Sequence, residues 1–136
     1  MGRRKSTAAP SRRSATSVRK RRPPGSRRKG ADAERRAKWR YRLRGYRVLA
    51  TNEWVGGYEL DLVLRRGRTV VFCEVKSKSG GGLGDPLEMV TAEKQRRLTR
   101  AAESWLAAHP EHCQCEARFD VVGVGAGGVE HLRQAF

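Results

Sequence analysis

The sequence predicts an α/β domain with the element order helix, three strands, helix, two strands, preceded by a basic tail. Three observations predict this class. Residues 58–65 place an apolar side chain at every second position, as a half-buried strand does, and the apolar run 70–73 belongs to the next strand. Apolar side chains at helical spacing precede and follow these strands. A chain of 136 residues has room for a single domain besides a tail.

Residues 1–29 form the predicted tail, and the domain is assigned to residues 30–136. The tail contains twelve Lys and Arg and no acidic residue, so it carries most of the net charge of +16. The rest is largely Ser, Ala, Thr, Pro and Gly, which predicts disorder. A flexible polycation without aromatic side chains attracts nucleic acid without reading its sequence, although a purely solubilising extension is the alternative. The candidate nucleic-acid-binding residues are Arg12, Arg13, Lys20, Arg21, Arg22, Arg27, Arg28 and Lys29.

Composition excludes several other classes. No apolar stretch is long enough for a signal peptide or a membrane span, so we expect a cytoplasmic protein without a membrane partner, associated with the nucleoid if the source is bacterial. Three cysteines do not make a disulfide framework. The group His109, His112, Cys113 and Cys115 lacks the paired spacing of a zinc site, and Pro110 indicates a loop there.

The elements before the turn of the hairpin have clear boundaries. Asp32 can cap a first helix that runs to about Arg44 and ends at Gly45, with the stripe Glu34, Ala37 and Tyr41 on one side. Residues 46–50 form a short strand. The alternating strand then places Tyr58, Leu60, Leu62 and Leu64 on one face and Glu59, Asp61, Val63 and Arg65 on the other.

The later elements follow the same logic. Arg66-Gly67 is a turn, and residues 68–76 are the next strand. The glycine-rich run 80–84 is a loop. Thr91 can cap a second helix to about Ala108, whose buried stripe is Leu98, Ala101, Ala102 and Trp105. The segments 117–124 and 129–133 are the last two strands.

The hairpin brings charged residues together. A two-residue loop at Arg66-Gly67 would place Glu59 opposite Glu74 and make Asp61 a diagonal neighbour of Glu74, with Lys76 on the same face. A four-residue loop gives the same register, whereas a three-residue loop would turn one strand over. Carboxylates opposed across strands repel each other, and Lys76 offsets only part of that repulsion. A divalent cation such as Mg²⁺ or Mn²⁺ would neutralise the remainder, although a solvated strand end is the alternative.

The motifs around these residues resemble those of a known family. They are Gly30 with Glu34 and Ala37, Gly45-Tyr46, Asn52, Glu59 to Leu62, Phe72 to Lys76, Lys94, and Arg118 to Asp120. Together they are similar to the successive motifs of the YraN-like (UPF0102) family in the PD-(D/E)xK nuclease superfamily. Tyr58 stands where that family usually has glycine, and Trp54 where it often has arginine.

The resemblance implies a restriction-endonuclease-like core, in which a mixed sheet is flanked by helices in three layers. It implies Asp61 and Glu74 as metal ligands and Lys76 as the catalytic lysine. Glu34 would reach the site from the first helix as an accessory ligand or water-positioning group, and Glu59 would orient the site. Lys94 lies within about 40° of the buried stripe of the second helix, so it could face the sheet and assist the reaction.

These observations predict a metal-dependent nuclease that acts on DNA, with structured repair or recombination intermediates as candidate substrates. The alternative is a nucleic-acid-binding protein that keeps the nuclease fold without turnover. A basic adaptor that contacts RNA or ribosomes is a third reading, supported by charge alone. The sequence leaves the oligomeric state open, including a homodimer.

Overall fold

The structure is a computed structural model, and it describes residues 24–77 and 90–136. The predicted order of elements is confirmed. The elements are α1 (Pro24–Leu43), β1 (Arg47–Val55), β2 (Tyr58–Arg66), β3 (Thr69–Ser77), α2 (Ala92–Ala108), a 3-10 turn (Pro110–His112), β4 (Glu116–Gly125) and β5 (Gly128–Leu132).

The strands form one mixed sheet in the order β1-β2-β3-β4-β5. β3 and β4 are parallel, and the other neighbours are antiparallel. The parallel pair needs a crossover, which α2 supplies. α1 packs on one face of the sheet around Tyr41, and α2 packs on the other around Trp105. The predicted α/β class with three layers is therefore confirmed.

The two helices differ in how well the sequence predicts them. α2 begins after Thr91, whose Oγ1 accepts a hydrogen bond of 3.2 Å from the backbone N–H of Lys94. Its predicted stripe is buried as expected: Leu98, Ala101, Ala102 and Trp105. For α1 the predicted cap is wrong. The helix begins at Pro24, inside the predicted tail, and Asp32 lies within it and pairs with Arg35 at 3.0 Å.

The predicted register of the β2–β3 hairpin is also wrong, by two residues. Arg66 pairs with Thr69 and Leu64 with Val71, so the two loop residues are Gly67 and Arg68. Gly67 has φ of +61°, which suits the first position of a two-residue loop. Because the error is even, residues on β3 keep the face that the sequence assigned to them.

The strict alternation predicted for β2 breaks at Asp61. Leu62 and Leu64 pack in the cluster beneath α1, but Leu60 packs with Val63 in the cluster beneath α2. The neighbouring strand is irregular nearby, with a register shift between Val48 and Ala50 and a positive φ of 52° at Asn52. The prediction that Leu60 shares a face with Leu62 is therefore wrong.

Several boundaries shift, and some predictions fall elsewhere. β1 extends to Val55, well beyond the predicted residue 50. The predicted loop at 80–84, and most of the predicted tail, lie outside the described residues. Pro110–His112 forms a 3-10 turn in place of the predicted loop, and Arg65 hydrogen-bonds to the buried His112 at 2.7 Å. In the parts of the chain that the structure describes, no helix is both long and apolar enough to cross a membrane.

Candidate active site at the divergence of β2 and β3

β2 and β3 stop pairing in mid-sheet. Their ladder ends at Leu62 and Cys73, although β2 continues along β1 and β3 continues along β4. If the register is continued by one residue, Asp61 lies across from Glu74. The backbone N–H of Val75 donates to Asp61 Oδ2 at 2.9 Å, so a carboxylate occupies the place where a strand carbonyl would accept. The predicted diagonal relation of Asp61 and Glu74 is replaced by a direct one.

Glu74 is buried, with 6% of its surface exposed, and both of its oxygens have partners. The Tyr58 hydroxyl donates to Oε1 at 3.1 Å, and Lys76 Nζ lies 3.4 Å from Oε2. Burial, and then the charges of Glu74 and Asp61, raise the pKa of Tyr58, so its hydroxyl stays protonated and donates. Tyr58, which departs from the glycine of the resembled family, therefore contributes directly to the site.

Two lysines from different elements meet here. Lys94 lies in the first turn of α2, three residues after the capping Thr91, and its side chain is near enough to that of Lys76 for the two amines to change each other's pKa. Burial lowers the pKa of Lys76, but contact with Lys94 and with Glu74 outweighs it, so that pKa is raised. Contact with Lys76 and then burial lower the pKa of Lys94. Of the two amines, Lys94 therefore releases its proton more readily.

Glu34 approaches this end of the sheet from α1. It is buried, as its place on the predicted stripe requires, and the side-chain N–H of Asn52 donates to its Oε1 at 2.7 Å. Asn52 falls between the pairs Thr51–Leu62 and Glu53–Leu60, and so lies across from Asp61. Asn52 received no role from the sequence. The available signals were its place among the motifs of the resembled family and the tolerance of Asn for positive φ.

Of the remaining predicted residues, Glu59 is described and the basic residues are described in part or not at all. Glu59 is half-buried and pairs with Trp54 on β1. Its predicted pairing with Glu74 is wrong, because the β2–β3 register is shifted by two residues and the ladder ends at Leu62 and Cys73. Arg12, Arg13, Lys20, Arg21 and Arg22 lie outside the described residues. Arg27, Arg28 and Lys29 belong to the first turns of α1, and their side chains are not described.

The donor set of this site suits Mg²⁺ or Mn²⁺ better than a softer metal. Asp61 and Glu74 offer hard carboxylate oxygens, and Mg²⁺ is commonly held by one or two carboxylates together with waters. Within the described residues, no group of three or more His, Cys, Asp and Glu side chains is arranged to hold a metal ion. The two carboxylates fit an ion that keeps most of its ligands as water or substrate oxygens.

A second buried polar cluster surrounds the carboxylate of Asp120 on β4, and the sequence did not predict it. Asp120 is fully buried. Burial acts to raise its pKa, but hydrogen bonds from His131, Arg118 and Tyr41 outweigh burial and hold that pKa far below its usual range. Both oxygens accept hydrogen bonds of 2.7–3.0 Å, from the side chains of Tyr41, Arg118 and His131 and from the backbone N–H of Gln134.

Comparison with known proteins identifies a matching family and several relatives by sequence. The profile of the family described as "Uncharacterised protein family UPF0102" matches residues 33–124. A UPF0102 protein of Frankia alni is 52% identical over 83 residues, covering 57% of this chain and 68% of the relative. The UPF0102 protein of Chromohalobacter salexigens is 44% identical over 107 residues, covering 79% of this chain and 85% of the relative. That of Beutenbergia cavernae is 46% identical over 109 residues, covering 76% of this chain and 92% of the relative. The matched range includes the carboxylates Asp61, Glu74 and Asp120.

Proposed function

The chain belongs to the UPF0102 family, and we propose that it is a divalent-metal-dependent nuclease that hydrolyses phosphodiester bonds in DNA. The observation that carries the proposal is the meeting of Asp61, Glu74 and Lys76 where β2 and β3 diverge. A sheet needs no such group for its stability, because carboxylates that face each other across strands repel. Structured repair or recombination intermediates are the substrates we propose.

Each side chain has a role that its surroundings support. Asp61 and Glu74 would hold Mg²⁺ or Mn²⁺, which when bound polarises the phosphoryl oxygen and lowers the pKa of a coordinated water. The hydrogen bonds from Val75 and Tyr58 fix the orientation of the two carboxylates without adding positive charge. They therefore preserve the negative potential that a cation requires.

The lysines supply positive charge that can stabilise the negative charge developing on the phosphoryl group during hydrolysis. Lys76 remains protonated beside Glu74 and would orient the attacking water or stabilise the charge on the phosphoryl group. Lys94, with its lowered pKa, would accept or relay a proton. Glu34, held by Asn52, would position a water from the side of α1.

The experiment is cleavage of labelled single-stranded, duplex, flap and junction DNAs with Mg²⁺, with Mn²⁺ and with EDTA. We expect metal-dependent cleavage of at least one substrate by the wild type and its loss in Glu74→Gln. Glu130→Gln is the matched control, because Glu130 is exposed on β5 and carries the same charge. Cleavage by Glu74→Gln at the wild-type rate would contradict the proposal.

The alternative is a protein that binds nucleic acid without cleaving it, and the charge of residues 1–23 favours binding. Replacing Arg12, Arg13, Lys20, Arg21 and Arg22 with glutamine separates the two functions. We expect weaker binding to all DNAs and a shallower dependence of affinity on salt, with metal-dependent cleavage at saturating DNA retained. An unchanged salt dependence would show that these residues do not contact DNA, and binding without any cleavage would favour the alternative.

A further inference from the structure

The outer face of α1 carries an exposed apolar pair within a basic surface. Exposed residues recur along the helix at helical spacing, at positions 32, 35, 36, 39, 42 and 43. Trp39 and Leu43, one turn apart, are 61% and 69% exposed. An indole in solvent costs free energy, and a large exposed aromatic inside a charged surface indicates a binding site more often than an isolated apolar residue does.

The groove around this pair runs from α1 to the start of β5, where Val129 lines it. Five arginines line it as well, and none of the described residues that line it is acidic. Arg35 is partly neutralised by Asp32, and the Arg40 Nε–H donates to His131 at 3.2 Å. The complete set of arginines is Arg35, Arg36, Arg40, Arg42 and Arg44.

Charge determines which occupant fits. Two copies that met through this face in a symmetric dimer would oppose the same arginines to each other, because a two-fold interface is self-complementary. A single strand of nucleic acid matches both features. Its phosphates pair with guanidinium groups, and its unpaired bases stack on aromatic faces such as the indole of Trp39. A duplex offers the same phosphates but keeps its bases stacked inside.

We propose that this surface, consisting of Trp39, Leu43 and the five arginines, binds unpaired single-stranded nucleic acid by base stacking and phosphate contact. Tyr41 and Ala37, on the opposite side of α1, pack on the sheet, so the surface faces away from the core. It would give the chain a preference for substrates that contain an unpaired strand. The biological meaning of that preference rests on the proposed nuclease function, but the binding itself does not.

The test is fluorescence anisotropy of the full chain with labelled oligo-dT and with a duplex of equal length, in EDTA so that no metal-dependent cleavage occurs. Measurements at several salt concentrations separate stacking from charge, because phosphate contacts weaken with salt. Trp39→Ala is expected to weaken oligo-dT binding by about 5- to 100-fold, as the loss of one stacked base predicts, and duplex binding by less than about twofold. Trp39→Phe should restore most of the oligo-dT affinity.

Arg42→Ala is expected to weaken the binding of both oligo-dT and the duplex. For the single strand it should also reduce the slope of log affinity against log salt by about 0.7. The matched controls are Arg100→Ala and Phe136→Ala, which alter a basic groove with an exposed aromatic beside α2. Neither control should change the preference for oligo-dT over duplex.

The proposal is overturned if Trp39→Ala binds oligo-dT as the wild type does, or if Phe136→Ala weakens binding equally. It is also overturned if Trp39→Ala leaves DNA binding intact but abolishes self-association in light scattering, or abolishes binding to vesicles of anionic lipid. If the wild type cleaves none of the DNAs but Trp39→Ala still weakens oligo-dT binding, the nuclease proposal is contradicted and this proposal is supported.

Discussion

Asp120 on β4 and Glu74 on β3 are buried carboxylates on neighbouring strands, yet their surroundings differ. Asp120 pairs with Cys73, the residue before Glu74, so the two carboxylates point to opposite faces of the sheet. Asp120 lies under α1, where Arg118 contributes a full positive charge and three further donors saturate both oxygens. Glu74 faces α2 with another carboxylate beside it and a lysine whose side chain is 27% exposed.

This difference separates a carboxylate that stabilises the fold from a carboxylate that is suited to bind a ligand. The Asp120 cluster is closed, because both carboxylate oxygens already accept hydrogen bonds inside the protein and Arg118 balances the negative charge without a ligand. In the cluster of Asp61 and Glu74, the hydrogen bonds from Tyr58 and Val75 come from neutral donors, and the positive charge beside Glu74 belongs to Lys76, whose side chain is partly exposed. Substitutions should therefore affect folding at Asp120 and ligand binding at Glu74.

The largest expected effect is on folding stability at Asp120. Asp120→Asn removes the charge that compensates the largely buried Arg118, and it replaces one acceptor oxygen with an NH₂ donor that faces other donors. We expect a loss of about 3–5 kcal/mol in the free energy of unfolding, measured by urea denaturation without metal. Glu74→Gln, which keeps an acceptor for Tyr58, should change it by less than about 1 kcal/mol. Equal losses would show that both clusters are structural.

The pH dependence of the Asp120 contribution follows from its lowered pKa. A carboxyl whose pKa is lower in the folded state stabilises the fold above its unfolded pKa, near 4, and loses that contribution as pH falls through the folded pKa. The difference in unfolding free energy between the wild type and Asp120→Asn should be constant from pH 8 to 5 and should shrink below about pH 4. A difference that already shrinks between pH 7 and 5 would contradict this assignment.

The same contrast shows what the sequence could and could not predict. Glu74 and Lys76 stand out because they interrupt an apolar strand, and the stripe of α2 is readable at helical spacing. Asp120 also interrupts an apolar strand, but the sequence does not indicate which residues surround it. Its partners Tyr41 and His131 come from α1 and β5, and only the folded sheet brings them together.

The register of the hairpin shows a second limit. The sequence places Gly67 in the turn but does not say which loop position it occupies. The structure gives it the first position with positive φ, a conformation that Arg66 would adopt only with strain. The break in β2 at Asp61 could not be predicted either, and it lies across from the positive φ of Asn52 on the neighbouring strand.

The two lysines of the candidate site should respond differently to truncation. Lys76→Ala removes the cation beside Glu74, so metal-free stability should fall by about 1 kcal/mol, a modest value because the amine is partly exposed. Lys94→Ala removes the charge repulsion between the two amines, so the free energy of unfolding should stay unchanged or rise slightly. Both should reduce cleavage, Lys76→Ala by about 100-fold or more. Stability losses of equal size would contradict the distinct roles.

The smallest expected effect concerns the metal increment in thermal stability. A cation bound only by the folded chain stabilises it by about 1.4 kcal/mol at ten times its dissociation constant. We therefore expect a higher melting temperature in Mn²⁺ or Mg²⁺ than in EDTA. Asp61→Asn keeps an oxygen that can accept from Val75, so its melting temperature in EDTA should change little or rise as repulsion with Glu74 is relieved.

In the presence of metal the same variant should lose most of the increment, because one of the two carboxylate ligands has become neutral. Asp120→Asn serves as the control from the closed cluster. Its melting temperature should fall equally with and without metal, since Asp120 lies on the other face of the sheet. If Asp61→Asn instead behaved like Asp120→Asn, the bond from Val75 would be the whole role of Asp61, and both carboxylates would belong to the structural class.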